Sequence, residues 1–546
     1  MLKGFVPWPD DVARQYRDAG LWEGLTVAAM VEQTARRSPR KTAVVYGETR
    51  ISYEELIDSA KRVATGLLAL GLKPTDRAVV QLPNIPEFVT LYLALNYIGV
   101  IPVMALRAHR HSEVRHFLRA SGATAYFIVD RIGSFDYRAM AAEMQAEFRS
   151  LTHVVVVGDA GPGQTPFRSV IAGDTVDEGE LGRVRPAAGD VSTMLLSGGT
   201  TSLSKLIPRT HDDYVLNARL CSEVGGFTAD TVFMAILPLG HNYNLASPGL
   251  LGVFYRGGTL VIATNTDATD VFAAVARERV TVIAAVVPLI TNWLNGQVVR
   301  AFDLSSLRVV QNGGARLAPE LRVRLREEFG VTPQEVYGTA EGLISMTRLT
   351  DPDELLLESS GAPVSEFDEI AVLNDAGSVM ADGESGELVT RGPYTIRGYY
   401  DAEGINADAF TPDGFYRMGD IVRKHGRYVF TEGRRKDLIN RGGEKISCDE
   451  VENLIFGLSQ VKQVAVVAMA DPVFGEKACA CVVLHPDTEL TFPQLIAHLR
   501  AQHIASFKLP ERLEVMKGFP VSPVGKILKR ELRDIVAERI AAGIKA

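Results

Sequence analysis

Cysteine is scarce: four residues among 546. Cys221 and Cys448 are isolated, and Cys479 and Cys481 alternate in the strand-like run ACACVVL with no Cys/His pair nearby. This argues against a disulfide-stapled secreted domain or a zinc module, and reduced core thiols in a reducing cytoplasm are expected. Positive charge is not in excess either. Lys and Arg number 58 against 66 Asp and Glu, for a net charge of −8, which leaves no electrostatic footprint for nucleic acid. A secretory leader is not expected, because MLKGFVPWPDD turns acidic before any apolar run begins. The longest apolar stretch, residues 88–106, is interrupted by Asn96, Gly99 and Pro102. It reads as a buried helix, a turn and a buried strand rather than a membrane span. Internal repeats and low-complexity tracts are also lacking.

What is present is an ordinary globular composition, 46% hydrophobic and 23% charged, in a chain too long for one core. Helical and strand periods alternate from residue 28 onward. SYEELIDSAKRVATGLLALG is a helix capped by Ser52 and stopped by Gly71. Repeated βα units predict an α/β fold with doubly wound, mainly parallel sheets. After Leu349 short alternating runs with turn signals predict antiparallel hairpins, a β-barrel-like subdomain. A charged run, GRRKD, precedes about a hundred residues patterned as a small α+β unit. The expected division is a large domain over 1–433, a hinge at 434–437 and a small mobile domain over 438–546.

The stretch LSGGTTSLSK, residues 196–205, gathers backbone amides, hydroxyls and an ammonium. It is not a P-loop, since Ser202 stands where a second glycine would and Leu206 follows Lys205. Alone it reads equally as a phosphate grip or an ordinary loop between a strand and a helix. Thr210, with Asp213 three residues on, caps a helix nearby.

Further motifs follow in order: HNYNLASPG (241–249), NGGARL (312–317), YGTAEG (337–342), YRMGD (416–420), GRRKDLINRGGEKI (433–446) and PVGKILKR (523–530). The series resembles the adenylate-forming superfamily of acyl-CoA synthetases, peptide synthetase adenylation domains and luciferase. With KLIPRTHDDY and RGPYTIRGYY, it is most similar to the aryl acid–AMP ligase branch, typified by 2,3-dihydroxybenzoate–AMP ligase of siderophore synthesis.

The resemblance implies two half-reactions: an aryl carboxylate and ATP give aryl-AMP and pyrophosphate, then a phosphopantetheine thiol takes the acyl group and releases AMP. It implies that Lys526 bridges carboxylate and α-phosphate. Gly198, Gly199, Thr200, Thr201, Ser204 and Lys205 would hold the outer phosphates, and Glu341 would hold Mg²⁺ arriving with ATP. Asp420 would accept both ribose hydroxyls, with Arg434 beside it. Gly313, Gly314 and Ala315 would approach the adenine edge and Tyr337 would stack, within a site shared by Gly338 and Thr339. Lys436 matches the hinge about which the small domain swings, bringing Gly442 and Gly443 to the site. For the acid, Asn242 matches the residue bonding an ortho-hydroxyl, Tyr243, Val336 and Ile344 form walls, His241 guards the carboxylate end, and Ser247 favours a ring with a 3-hydroxyl.

The sequence departs from the branch pattern at Ser202, Asn244, Asn312 and Met418. Asn312 is expected to border the acid pocket and could pair with an amino or ring-nitrogen substituent. 2,3-Dihydroxybenzoate, 3-hydroxyanthranilate, 3-hydroxypicolinate and salicylate therefore all stay open as acids. So does the acceptor, a separate aryl carrier protein or CoA, and so does a non-catalytic binding protein. No membrane partner is expected.

Overall fold

The computed structural model describes residues 2–171, 176–197, 204–296, 298–314, 316–317, 319–374, 376–434, 438–520 and 529–543. Within them, two large sheets carry most of the chain. A nine-stranded sheet has six parallel strands at its centre, ordered Thr332–Gly338, Val309–Gly313, Val282–Ala285, Val232–Ala235, Thr259–Ile262 and Thr42–Tyr46. Antiparallel strands finish both edges. The parallel strands are short Val- and Ile-rich runs, as burial on both faces requires. A seven-stranded sheet is parallel except for one edge hairpin.

Local signals act where the sequence places them. The helix Tyr53–Leu70 opens on a capping box between Ser52 and Glu55 and closes on Gly71, whose φ of 105° suits a residue without Cβ. The apolar stretch resolves into the helix Pro86–Tyr97, a turn at Gly99 (φ 65°) and the strand Ile101–Met104. Among the described residues no helix is long and apolar enough to cross a membrane.

One local expectation is revised. Residues 196–205 do not link a strand to a helix. Strands Val191–Leu196 and Leu206–Thr210 pair antiparallel, Leu196 opposite Leu206, so the loop is a hairpin tip. Ser197 and Lys205 close its neck: each backbone N–H is accepted within the pair, Ser197 N–H by the Lys205 carbonyl and Lys205 N–H by Ser197 Oγ, both at 2.9 Å. LIPRT pairs at once, and the helix His211–Val224 starts only after it, capped by Thr210 and Asp213.

The hairpin region after Leu349 forms a four-stranded antiparallel sheet, Glu369–Leu373, Gly386–Arg391, Tyr416–His425 and Tyr428–Arg434. From Leu438 onward a separate five-stranded sheet has its own apolar clusters on both faces. Cys479 and Cys481 lie in one of them, packed with Leu532 and Val536 of the helix Lys529–Ala541. None of the four cysteines forms a disulfide, and all are buried.

A fully buried ion pair fixes the hairpin to the helix that follows. Arg209 Nε meets Asp213 Oδ1 at 2.7 Å, and Arg209 Nη1 donates to the Ala340 carbonyl at 3.0 Å. Removing one partner leaves a buried charge, so Arg209→Met should cost about 3–5 kcal/mol. A thermal scan should show a clearly lowered unfolding midpoint; an unchanged midpoint would contradict this role.

Candidate active site

The candidate residues converge at the carboxyl ends of the central parallel strands, the usual ligand position in open α/β sheets. Strand Val309–Gly313 ends with Asn312 beside Ala285 and Gly313 beside Val336. Tyr243 lies across Gly313 so closely that a Cβ there would stand 2.7 Å from the ring. Gly314 follows with φ of +81°, and a Cβ on it would lie 3.2 Å from Gly443 Cα.

The acid end is built on the short helix Asn242–Ala246. His241 caps it, its Nδ1 accepting the Tyr243 N–H at 3.3 Å, and its ring is exposed. Two residues of the helix His211–Val224 support this end. Tyr214 donates its hydroxyl to Asn242 Oδ1 at 2.8 Å, which orients the amide, and Asn242 Nδ2 donates to Ser247 Oγ at 3.3 Å. Asn217 Nδ2 donates to the same oxygen at 3.3 Å and to the Ala246 carbonyl at 2.6 Å. All four side chains are buried. Val336 and Ile344 are buried as well, on strands paired through Gly338 opposite Ile344. The Tyr243 hydroxyl is buried without a hydrogen-bond partner among the described residues.

Asn312 has a buried partner that its sequence position does not announce. Its Nδ2 donates to Glu335 Oε2 at 2.9 Å, and Glu335 in turn meets Arg322 Nη2 at 2.9 Å. Burial pushes the Glu335 carboxyl up, and Arg322 pulls it back. A polar residue is needed here because a buried carboxylate must be bonded. That bond engages one of the two Asn312 amide protons.

At the nucleotide end, Tyr337 donates its hydroxyl to Asp420 Oδ2 at 2.8 Å. Asp420 lies opposite Arg434 on neighbouring strands. Tyr399 links two further candidates. Its hydroxyl donates to Glu341 Oε1 at 2.8 Å, while the Lys205 ammonium stands 4.5 Å from its ring centroid. Ser204 offers its carbonyl to His116 Nε2 at 2.7 Å. Gly338 serves the turn: a Cβ would meet the Leu343 carbonyl at 2.2 Å. Thr339 Oγ1 is buried without a partner among the described residues. Gly198, Gly199, Thr200, Thr201, Ser202, Ala315, Lys436 and Lys526 lie outside the described residues, as does the Arg434 side chain.

No group of three His, Cys, Asp or Glu side chains able to hold a metal occurs among the described residues. Glu341 with Thr339 Oγ1 nearby in sequence nonetheless fits Mg²⁺, which binds through one or two carboxylates and completes its shell with phosphates and water.

The second unit reaches the same place. Asn440 Nδ2, on the hairpin 438–447, donates to the Gly314 carbonyl at 3.0 Å, and Asn440 Oδ1 accepts the Gly443 N–H at 3.2 Å. Gly443 also lies against Val286. Tyr243 from the large unit and the glycine hairpin of the second thus meet at Gly313 and Gly314.

The AMP-binding enzyme family matches residues 31–400, and the AMP-binding enzyme C-terminal domain matches residues 450–526. The chain belongs to the AMP-binding enzyme family. This AMP-binding enzyme is 43% identical to the 2,3-dihydroxybenzoate-AMP ligase of Bacillus subtilis over 546 residues, all of both chains. It is 46% identical to a salicylyl-CoA synthase / salicylate adenylyltransferase of a Streptomyces species over 541 residues, 98% of each chain. Among solved structures, apo MbtA of Mycobacterium smegmatis superposes with a TM-score of 0.75 at 38% identity, covering 97% of this chain and 98% of that one. These relatives bear out the aryl acid–AMP ligase branch that the motifs resembled.

Tyr214, Asn217, Tyr399 and Glu335 were not among the sequence candidates. Tyr214 and Asn217 are three apart on one helix, the spacing that puts both on one face. They stand on the helix that the sequence announces through the cap of Thr210 and Asp213. Asp420 offers a charged acceptor, so Asp420→Asn should raise the KM for ATP about 10–150-fold, the equivalent of roughly 1.5–3 kcal/mol. Tyr337→Phe, losing a neutral donor, should raise it only about 2–12-fold. Steady-state titration of ATP for both variants checks the order.

Proposed function

We propose that the protein activates an ortho-hydroxylated aryl carboxylic acid with ATP and passes the acyl group to a phosphopantetheine thiol. The observation carrying this reading is the buried Tyr214–Asn242–Ser247–Asn217 network at one end of a site whose other end holds Asp420. An aryl carboxylate is already ionised at neutral pH, so no general base is required. One carboxylate oxygen attacks the α-phosphorus, the bond to the β-phosphate bridging oxygen breaks, and pyrophosphate leaves. The difficulty is joining an anion to a polyanion, which calls for cations and donors arranged beforehand. Lys526 is assigned to that bridging position, and Lys205 with the loop 198–204 to the outer phosphates. Mg²⁺ bound with ATP would offset phosphate charge, with Glu341 as its ligand. Asp420, steadied by Tyr337, is assigned to the ribose hydroxyls, with Arg434 beside it.

In the second half-reaction the thiol sulfur attacks the acyl carbon, its proton is released, and AMP departs with the carboxylate-derived oxygen. The observed seating of Asn440 and Gly443 on Gly314 supports an orientation suited to this step. Gly442 and Gly443 would leave room for the pantetheine arm. Residues 434–437, with Lys436, are assigned as the hinge between a large unit over 1–433 and a small one over 438–546. A separate aryl carrier protein is the proposed acceptor, and CoA the alternative, as the name of the Streptomyces relative suggests. The reduced, buried cysteines accord with a cytoplasmic enzyme.

The acid preference follows from hydrogen-bond polarity. Ser247 Oγ accepts from two amides, so its own proton is left to donate toward the ring. Asn242 Nδ2 keeps a second N–H for the ortho oxygen. A ring with oxygen at both positions satisfies both donors, whereas salicylate leaves the serine proton unmet. ATP–pyrophosphate exchange should therefore favour 2,3-dihydroxybenzoate over salicylate by about 5–150-fold in kcat/KM, from the roughly 1–3 kcal/mol cost of an unsatisfied buried group. Ser247→Ala should shrink the ratio; equal rates in the wild type would overturn the assignment. Lys526→Ala should cut exchange by about 10²–10³-fold, the scale for losing one transition-state donor. No exchange with any aryl acid would defeat the whole reading.

A further inference from the structure

A buried ion pair outside every motif above joins the two units. Glu113, on the helix His111–Ser121, meets Lys508 Nζ at 3.2 Å, with side-chain exposures of 4% and 8%. Glu113 Oε1 also accepts the Ala505 N–H at 3.2 Å, and its Oε2 accepts the Arg110 N–H at 2.9 Å. Beside it the rings of His111 and His503 lie 4.3 Å apart. The same helix sends His116 to the Ser204 carbonyl, at the neck of the phosphate-loop hairpin. On the other side, Lys508 belongs to the one-turn helix Ser506–Lys508, which packs on the hairpin strand Glu444–Ser447. Its ammonium also lies close enough to Glu444 to act on that carboxyl.

We propose that Glu113 and Lys508 form a latch that holds the hairpin of the small unit on Gly314, and so serve thiol transfer without serving adenylation. Two charges tolerate burial only while paired, and such pairs select a geometry more than they add stability. Lys508 and the hairpin belong to the same unit and pack on each other, so turning that unit away opens both contacts together. Lys508 and Glu113 touch neither acid nor nucleotide in this account; they are positioning residues. The inference rests on the proposed two-step reaction.

Lys508→Met keeps the stem and removes the charge; Glu113→Gln keeps the cap acceptor; Lys508→Arg keeps the pair. The expected result is ATP–pyrophosphate exchange within twofold of wild type for all three. Single-turnover transfer from enzyme-bound aryl-AMP to coenzyme A or N-acetylcysteamine should fall at least tenfold in the first two and stay near wild type in the third. Equal loss in both half-reactions, or undiminished transfer, would overturn the latch. A readout independent of activity uses cysteines placed at the exposed positions Glu143, whose carboxylate lies 3.3 Å from His111, and His503, with a short bis-maleimide, the native cysteines being buried. Crosslinking should fall at least fivefold with Lys508→Met and recover with Lys508→Arg. Unchanged crosslinking would sink the latch even if the wild type fails to exchange, an outcome that bears on the reaction alone.

Discussion

The close approach at Gly313 and Gly314 is the constraint around which the site is organised. A side chain at 313 would collide with Tyr243, and one at 314 would crowd Gly443 from the second unit. Both contacts occur where a parallel strand ends, so the strand delivers bare backbone to a point touched from two sides. The acid pocket closes on one side and the glycine hairpin on the other. A larger residue at either position would separate elements that the two half-reactions need within reach of each other.

Around that point the polar groups divide by task. Tyr214 and Asn217 fix the amide and hydroxyl assigned to the acid, and they do so from a helix anchored by Arg209 and Asp213. Tyr399 ties Glu341 to the neighbourhood of Lys205, placing an anion and a cation about one ring. Tyr337 steadies Asp420. Each group that meets substrate is thus held by another that does not, which is how a site limits reorganisation during reaction.

Much of this was legible in the sequence. Ser52 with Glu55, Gly71, and Thr210 with Asp213 announced helix ends because caps act within a few residues. The ordered motifs singled out Asp420, Glu341, Asn242 and Gly313 as candidates through their resemblance to the family. What the sequence hid depends on distant partners. The Asn312–Glu335 bond was hidden because nothing nearby in sequence announces Glu335, a neighbour only through strand pairing. The alternative reading of residues 196–205 as a strand-to-helix link fails because LIPRT, too short to declare itself in the sequence, is a paired strand. Glu113 and Lys508 stand 395 positions apart, beyond any local signal.

Isotope transfer tests the central claim most directly. The acid carrying ¹⁸O in both carboxylate positions would be turned over with ATP and a thiol, and the products weighed by mass spectrometry. Attack of the carboxylate on the α-phosphorus followed by thiolysis must leave one ¹⁸O in AMP, one in the thioester carbonyl and none in pyrophosphate. Label in pyrophosphate, or unlabelled AMP, would contradict formation of an aryl adenylate at this site.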